Sequence, residues 1–222
     1  MVKVGDFIFD EAADEKINEF ASEHSTRLRV TLAEGVSSWQ VYKALSEIKF
    51  LSGKLENIPD EGTIAPASYD FVIGMTKEAL IKKMQERQAS ILNEAWNARQ
   101  PNLPINTKQE ALILASIIEK ETSLKTERGK VSSVFVNRLL REIALQTDAS
   151  VVYGITRGKK VLGRGLRRSE LKKDTPWNTY VNKGLPPSPI GNPGKASIHA
   201  ALNPDITNYL YFVADGSGGH AF

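Results

Sequence analysis

The chain of 222 residues contains no cysteine. This absence excludes disulfide bonds, thiolate metal sites and cysteine nucleophiles, but it does not identify a cellular compartment. The three histidines are scattered along the chain, so we expect neither a metal site nor a bound cofactor. No apolar run approaches the roughly 18 residues that a membrane-spanning helix needs, and no secretory leader is recognisable.

The composition is that of a folded protein with a mildly basic surface. Hydrophobic residues make up 41% of the chain, which is enough for a core. The net charge is +3, and we interpret the charges as interspersed rather than blocked. This pattern favours a solvated surface with a general affinity for anionic partners. Nucleic acid is not an expected partner, because no arginine-rich stripe or interleaved aromatic run is present.

Hydrophobic periodicity and turn residues predict an α+β protein. A small N-terminal α/β module with its linker is expected over residues 1–75, and a larger domain of mixed helices and strands over 76–222. In the second part, Thr107 and Glu110 form a capping-box pattern before an apolar helix. The predicted elements are a strand, turn and helix over 29–51, a loop over 58–73, helices from 76, over 107–122 and over 127–143, a proline-rich loop over 174–194, a short helix over 196–202 and a strand over 209–214.

One carboxylate stands out on the predicted helix 107–122. At about 100° per residue, Ile113, Leu114, Ile117 and Ile118 form an apolar stripe roughly 140° wide, with Glu121 near its middle. Burial would raise the pKa of Glu121, as a general acid at neutral pH requires. Glu119 falls outside the stripe, so we expect it to be solvated. The alternative is that the helix simply ends here and Glu121 turns to solvent.

Short motifs resemble those of the YceG-like endolytic murein transglycosylases, the MltG family. The first is ASIIEKET at 115–122, followed by Glu127-Arg128. The others follow in order: VFVNRL at 134–139, LQTD at 145–148, VYG at 152–154, TPWNTY at 175–180, GLPP at 184–187, NPG at 192–194, YLYFV at 209–213 and GGH at 218–220. A weaker likeness, LAEG at 32–35 and APASY at 65–69, is similar to the family's linker to a LysM-like module.

The resemblance implies a lytic transglycosylase that cleaves the MurNAc–GlcNAc β-1,4 bond of peptidoglycan. A single glutamic acid protonates the glycosidic oxygen and then, as a carboxylate, takes the proton of the C6 hydroxyl, which closes on C1 to give 1,6-anhydro-MurNAc. Glu121-Thr122 is similar to the helix-ending Glu-Ser pair of other lytic transglycosylases, which favours Glu121 as the catalytic residue. Two alternatives stay open: a lysozyme-like hydrolase that uses Glu121 with Asp148, and a non-catalytic peptidoglycan-binding module.

If the resemblance holds, a further set of residues should bind or wall the glycan cleft around Glu121. Asp148 could instead be the N-cap of a following helix, and Trp177 could be a core aromatic rather than a sugar-stacking ring. His220 is the only histidine in a family-like motif, and a structural role is the simpler expectation for it. The expected substrate-binding residues are Gln146, Asp148, Tyr153, Trp177, Asn178, Tyr180, Leu185, Pro186 and Pro187.

The resemblance also suggests where such a protein acts. Family members usually begin with a transmembrane helix and continue past the Gly-Gly-His segment, so we expect this chain to be a soluble fragment without its membrane anchor. The expected location is the extracytoplasmic, periplasmic face of the bacterial cytoplasmic membrane. The expected partners are peptidoglycan glycan strands and peptidoglycan synthases.

Overall fold

The fold is a mixed α+β arrangement of small sheets and helices. The structure is a computed structural model that describes residues 2–4, 7–9, 27–216 and 218–222. A four-stranded antiparallel sheet has the order β1-β2-β3-β4, and β5 pairs with β6 in a separate antiparallel ribbon. The strands are β1 (Val2–Val4), β2 (Phe7–Phe9), β3 (Arg27–Thr31), β4 (Ser68–Val72), β5 (Val213–Ala214) and β6 (His220–Ala221).

Seven helices connect these strands within the described part of the chain. They are α1 (Ser38–Glu47), α2 (Lys77–Asn97), α3 (Lys108–Glu121), α4 (Arg128–Leu140), α5 (Asp148–Thr156), α6 (Arg168–Lys172) and α7 (Lys195–Leu202). None of the described helices combines the length and the apolar composition that crossing a bilayer demands.

The first core forms between the sheet, α1 and the beginning of α2. Val30 of β3, Leu45 of α1 and Met84 of α2 are fully buried in it. The predicted strand, turn and helix over 29–51 are confirmed, and a capping box of Ser37 and Gln40 begins α1. The predicted loop over 58–73 is partly wrong, because its last residues form β4. The buried Tyr69 and Phe71 alternate with exposed neighbours there, as a strand with one solvated face requires.

The second core is built around α3. Every residue from 111 to 118 is buried, because α2, α4, α5 and α7 enclose this helix. The predicted capping box is present: Thr107 Oγ1 accepts from the backbone N–H of Glu110, whose side chain accepts from the N–H of Thr107. The helix ends at Glu121.

Helix α2 belongs to both cores. Its first half contributes Leu80 and Met84 to the first cluster, and Leu92 joins the second. Between them lies the buried Gln88, whose amide donates to the backbone carbonyls of Gly62 (3.1 Å) and Pro193 (3.0 Å). Gln88 therefore links α2 to one segment of the first core and to one segment near the second core.

The last third of the chain is mostly irregular, as its prolines predict. Residues 174–194 form no helix or strand of their own. The short helix α6 before them was not predicted. The predicted strand over 209–214 is wrong for most of its length, since only Val213 and Ala214 pair with another strand.

Candidate active site

Glu121 lies where two helix ends meet. It is the last residue of α3, and its carboxylate accepts a hydrogen bond from Thr147 Oγ1, immediately before α5. Burial raises the pKa of Glu121, and the nearby charge of Asp148 raises it further. The Thr147 hydrogen bond and the charge of His220 oppose this shift. The neutral acid that the apolar stripe predicted is therefore favoured.

Polar side chains from α5 and the following loop surround this carboxylate. Asp148 is exposed, and its Oδ1 accepts from the Tyr180 hydroxyl at 2.6 Å. Burial, together with the nearby Asp148 and Glu121, raises the pKa of Tyr180, so the phenol stays protonated. Gln146 is exposed, with a left-handed φ of 54°. Its backbone N–H donates to the carbonyl of Thr179 at 3.0 Å, which ties the Asp148 loop to the Tyr180 loop.

His220 reaches the same region from the β5-β6 ribbon. Its backbone N–H donates to Glu127 Oε1 at 2.9 Å, and its ring Nδ1 lies 2.8 Å from Glu127 Oε2. This contact lowers the pKa of Glu127. The imidazole also packs edge-on against Phe212, with ring centres 5.1 Å apart. His220 is thus held in place near Glu121 by a carboxylate partner.

Glu119 corrects the expectation drawn from the apolar stripe. Its side chain is only 5% exposed, and its Oε1 lies 3.2 Å from a guanidinium nitrogen of the equally buried Arg128. The backbone N–H of Gly194 donates to its other oxygen at 2.9 Å. The expectation of a solvated Glu119 was wrong because Arg128 of α4 and Gly194 before α7 cover that side of α3, whereas the neighbouring Lys120 is the exposed residue there.

Tyr153 and Trp177 form a second group on the other side of α5. The Tyr153 hydroxyl donates to the buried Glu61 at 3.0 Å. Trp177 donates through its indole N–H to Ser188 Oγ at 3.1 Å, and the Arg157 guanidinium lies 3.4 Å from the ring centre. Because Arg157 covers one face of the indole, a sugar ring cannot stack on that face.

Two of the expected substrate-binding residues are buried. Asn178 has no exposed surface, and its amide donates to the carbonyls of Glu170, Leu171 and Lys173 at the end of α6. Pro186 is also buried, whereas Leu185 is half-buried and Pro187 exposed. The contact role expected for Asn178 and Pro186 is therefore corrected to a positioning role, because neither side chain reaches the surface.

A groove of about 470 Å³ adjoins the carboxylate site. Lys120 and Ala149, the sequence neighbours of Glu121 and Asp148, line it, but Glu121 itself does not. Its walls come from residues 33–40 and from α5 with the loop that follows. Among the described residues, Tyr153 is the one aromatic side chain that lines it. Nowhere in the described ranges do three or more histidine or acidic side chains gather as a metal site would require.

Several residues that make hydrogen bonds in and around the site were not predicted from the sequence. Thr147 and Glu127 contact Glu121 and His220, and Arg138 donates to the carbonyls of Leu210 (2.6 Å) and Leu145 (2.9 Å). All three lie inside the motifs LQTD, ER and VFVNRL. The motifs therefore included these residues, but the groups that they contact could not be predicted from the sequence.

Comparisons with known proteins agree with the motifs. The chain is 39% identical over 165 residues to an endolytic murein transglycosylase of Bacillus subtilis (strain 168), an alignment covering 74% of this chain and 44% of the relative. It is 33% identical over 168 residues to an endolytic murein transglycosylase of Streptococcus pneumoniae serotype 2, covering 73% of this chain and 29% of the relative. The chain thus spans less than half the length of these curated relatives.

A solved structure shares the fold. A crystal structure of a YceG-like protein from Listeria monocytogenes matches with a TM-score of 0.69 and 27% sequence identity, covering 87% of this chain and 72% of that one. The model of the YceG-like family matches residues 2–222. The chain therefore belongs to the YceG-like family.

Proposed function

We propose that this chain carries the catalytic part of an endolytic peptidoglycan lytic transglycosylase, with Glu121 as its single acid and base. The neutral Glu121 protonates the oxygen of the MurNAc–GlcNAc β-1,4 bond. The resulting carboxylate then accepts the proton of the C6 hydroxyl of the same MurNAc, whose oxygen closes on C1. The products are a 1,6-anhydro-MurNAc end and a free GlcNAc end, and no water is consumed.

The observation that supports this proposal best is the environment of Glu121. A general acid near neutral pH needs a raised pKa, and burial supplies that shift here. A base in the second half of the reaction needs a hydrogen-bond donor that stabilises the carboxylate, and the Thr147 hydroxyl is such a donor. One side chain is thereby equipped for both roles.

The neighbouring polar groups are proposed to bind the glycan strand. Asp148 and Tyr180 lie near Glu121 and offer a carboxylate and a phenol for sugar hydroxyls. The exposed Gln146, which directly precedes Thr147, is proposed to add an amide. Trp177, Leu185 and Pro187 are proposed as the wall farther from Glu121, and Tyr153 is proposed to contact the substrate from the neighbouring groove that it lines. Asn178 and Pro186, whose side chains are buried, are proposed to position this wall.

Digestion of purified sacculi tests the proposal. Mass spectrometry of the released muropeptides should find 1,6-anhydro ends. Glu121→Gln keeps the size of the side chain but cannot deliver a proton, so the rate should fall by about 10²–10⁴-fold. Glu142→Gln changes an exposed glutamate and serves as the matched control. Anhydro ends produced equally by Glu121→Gln would contradict the assignment of Glu121 as the acid. No new ends with the wild-type protein, although it binds sacculi, would favour the non-catalytic glycan-binding module.

A lysozyme-like hydrolase is the second candidate, because Asp148 supplies a second carboxylate next to Glu121. Hydrolysis commonly uses two carboxylates, one as acid and one as nucleophile or base. Asp148 is close enough that its charge raises the pKa of Glu121. Reducing MurNAc ends that disappear in Asp148→Asn would identify the hydrolase, whereas anhydro ends that persist in this variant would exclude it.

The setting of the reaction is proposed from the same family resemblance. The N-terminal α/β module, residues 1–75, is proposed to be LysM-like and to bind glycan. The support is the strand-helix-strand order of β3, α1 and β4. The intact protein is proposed to be anchored at the periplasmic face of the cytoplasmic membrane, near peptidoglycan synthases. Glycan binding by the isolated chain in a sedimentation assay with sacculi tests the first point.

A further inference from the structure

The groove beside Glu121 is a junction between the two halves of the chain. One wall is the segment from Ala33 to Gln40, and the other includes Tyr153 of α5 and the loop from Gly158 to Leu162. Ser37 Oγ donates to the carbonyl of Gly158 at 2.7 Å and holds the walls together at one end. Gly158 has a φ of 65°, and a Cβ there would lie 2.4 Å from Ser37 Cβ. The close approach of the two walls thus depends on glycine.

The lining of the groove fits a short peptide better than a sugar ring. Its floor is aliphatic, formed by Val36, Ala149, Val152 and Ile190. Sugar sites generally offer an aromatic face and several free polar groups, but the hydroxyl of Tyr153 is already bonded to Glu61. The rim carries both signs of charge, from Glu34, Lys120 and Lys160. The surface of the groove is therefore complementary to a peptide that has small apolar side chains between charged groups.

One wall of this groove belongs to a strongly basic segment of the chain, of which Lys160 lines the groove. Residues 157–173 contain eight lysines and arginines and a single acidic residue, Glu170. Because the whole chain has a net charge of +3, the remainder of the chain is net negative. This block corrects the reading of the charges as interspersed. Lys160 is exposed on the groove rim, and within the described ranges no carboxylate lies within ion-pair distance of it.

We propose that this groove binds the peptide stem carried by the muramic acid next to the bond that is cut, so that the enzyme acts on peptide-bearing strands in preference to bare glycan. The inference rests on the proposed function. Stem peptides combine alanine methyl groups with carboxylates and one diamino acid. Lys160 faces the stem carboxylates, and Glu34 faces the ammonium group of the diamino acid. Because Lys120 precedes Glu121 directly, a stem in the groove lies beside the reacting sugar.

The first test compares two substrates. Rates are measured on peptide-bearing glycan strands and on the same strands after an amidase has removed the peptides. The wild-type protein should cut the peptide-bearing strands faster. Lys160→Gln should reduce the ratio of the two rates by roughly two-fold to five-fold, the effect of one exposed charge pair. Lys159→Gln is the matched control, because Lys159 is exposed, adjacent in sequence and outside the groove lining.

Two results of this comparison would overturn the inference. One is a wild-type ratio of one, which would mean that the stem is not recognised. The other is an equal loss in Lys159→Gln and Lys160→Gln, which would mean that only the general positive charge of residues 157–173 matters. In both cases anhydro ends would still form, and the proposed function would stand.

The second test does not depend on cleavage. A synthetic pentapeptide, L-Ala–γ-D-Glu–L-Lys–D-Ala–D-Ala, is titrated into the wild-type protein and the two lysine variants by calorimetry. The Kd should rise by roughly two-fold to five-fold in Lys160→Gln and should also rise with salt, as for a screened charge pair. Lys159→Gln should bind as the wild type does. If the wild-type protein does not bind the peptide, the inference is refuted, even if the protein cuts glycan. If it binds the peptide and the binding depends on Lys160, the inference is supported, even if the protein does not cut glycan.

Discussion

Replacing Glu119 by glutamine should destabilise the fold, whereas the same change at Glu121 should mainly remove activity. Glu119 and Arg128 form an ion pair whose side chains are 5% and 6% exposed. Removing one partner of such a pair leaves a buried charge without compensation, which typically costs about 3–5 kcal/mol. Two contacts moderate this cost here. Glu34 lies 3.5 Å from the same guanidinium nitrogen, and the glutamine oxygen can still accept from Gly194.

We therefore expect Glu119→Gln to lose about 3 kcal/mol, the lower end of that range. For a domain of 150–250 residues, about 1 kcal/mol shifts the melting temperature by ~2–4 °C, so the expected loss is ~6–12 °C. Thermal unfolding followed by circular dichroism measures it. Arg128→Met and the double variant complete a double-mutant cycle, in which the double variant should lose less than the sum of the two single changes.

A Glu119→Gln variant that melts within about 2 °C of the wild type would contradict this expectation, because the buried pair would then contribute little to stability. The expectation also fails if the two single changes simply add in the double variant. Activity measured well below the melting temperature separates this role from catalysis. Glu119→Gln should keep activity while folded, and Glu121→Gln should not.

Three further predictions follow from individual contacts. Glu121→Gln should melt at a higher temperature than the wild type at pH 7. The raised pKa of Glu121 means that the folded state binds this proton more tightly than the unfolded state does, so the stability that the protonated Glu121 contributes is lost as pH rises through that pKa. At pH 4 the wild-type side chain is protonated, and the two proteins should melt at the same temperature. Equal melting temperatures at both pH values would contradict this prediction. Gly158→Ala should lower both stability and the peptide-to-bare rate ratio, because the new Cβ would collide with Ser37. Gly163→Ala, at a similar φ but with open space around it, separates backbone strain from the collision. Arg138→Lys should loosen the C-terminal segment, because lysine cannot span the carbonyls of Leu210 and Leu145, and faster hydrogen exchange there measures it.

Helix ends and apolar periodicity were readable from the sequence because their causes are local. The Thr107–Glu110 capping box began α3 where predicted, and the apolar stripe led to a glutamate with a raised pKa at the other end. β4 was missed because its two buried residues, Tyr69 and Phe71, follow a proline-rich loop and only pair with β3 across 37 or more intervening positions. The apolar and polar residues of β4 do alternate, but over only five residues, and the turn residues before them favoured a loop.

The sequence alone determined the family, the single candidate acid and the helices that carry it, since ordered motifs and local spacing are properties of the chain itself. Only the tertiary structure decided which side chains reach solvent. The position of Glu119 on the helix did not reveal its burial, because Arg128 becomes its partner only when α4 folds back against α3. The burial of Asn178 was also decided by the tertiary structure, because its side-chain amide donates to three backbone carbonyls of α6 and the residues after it. The groove likewise depends on tertiary structure, because residues as far apart as Ser37 and Gly158, 121 positions along the chain, meet at one end of it.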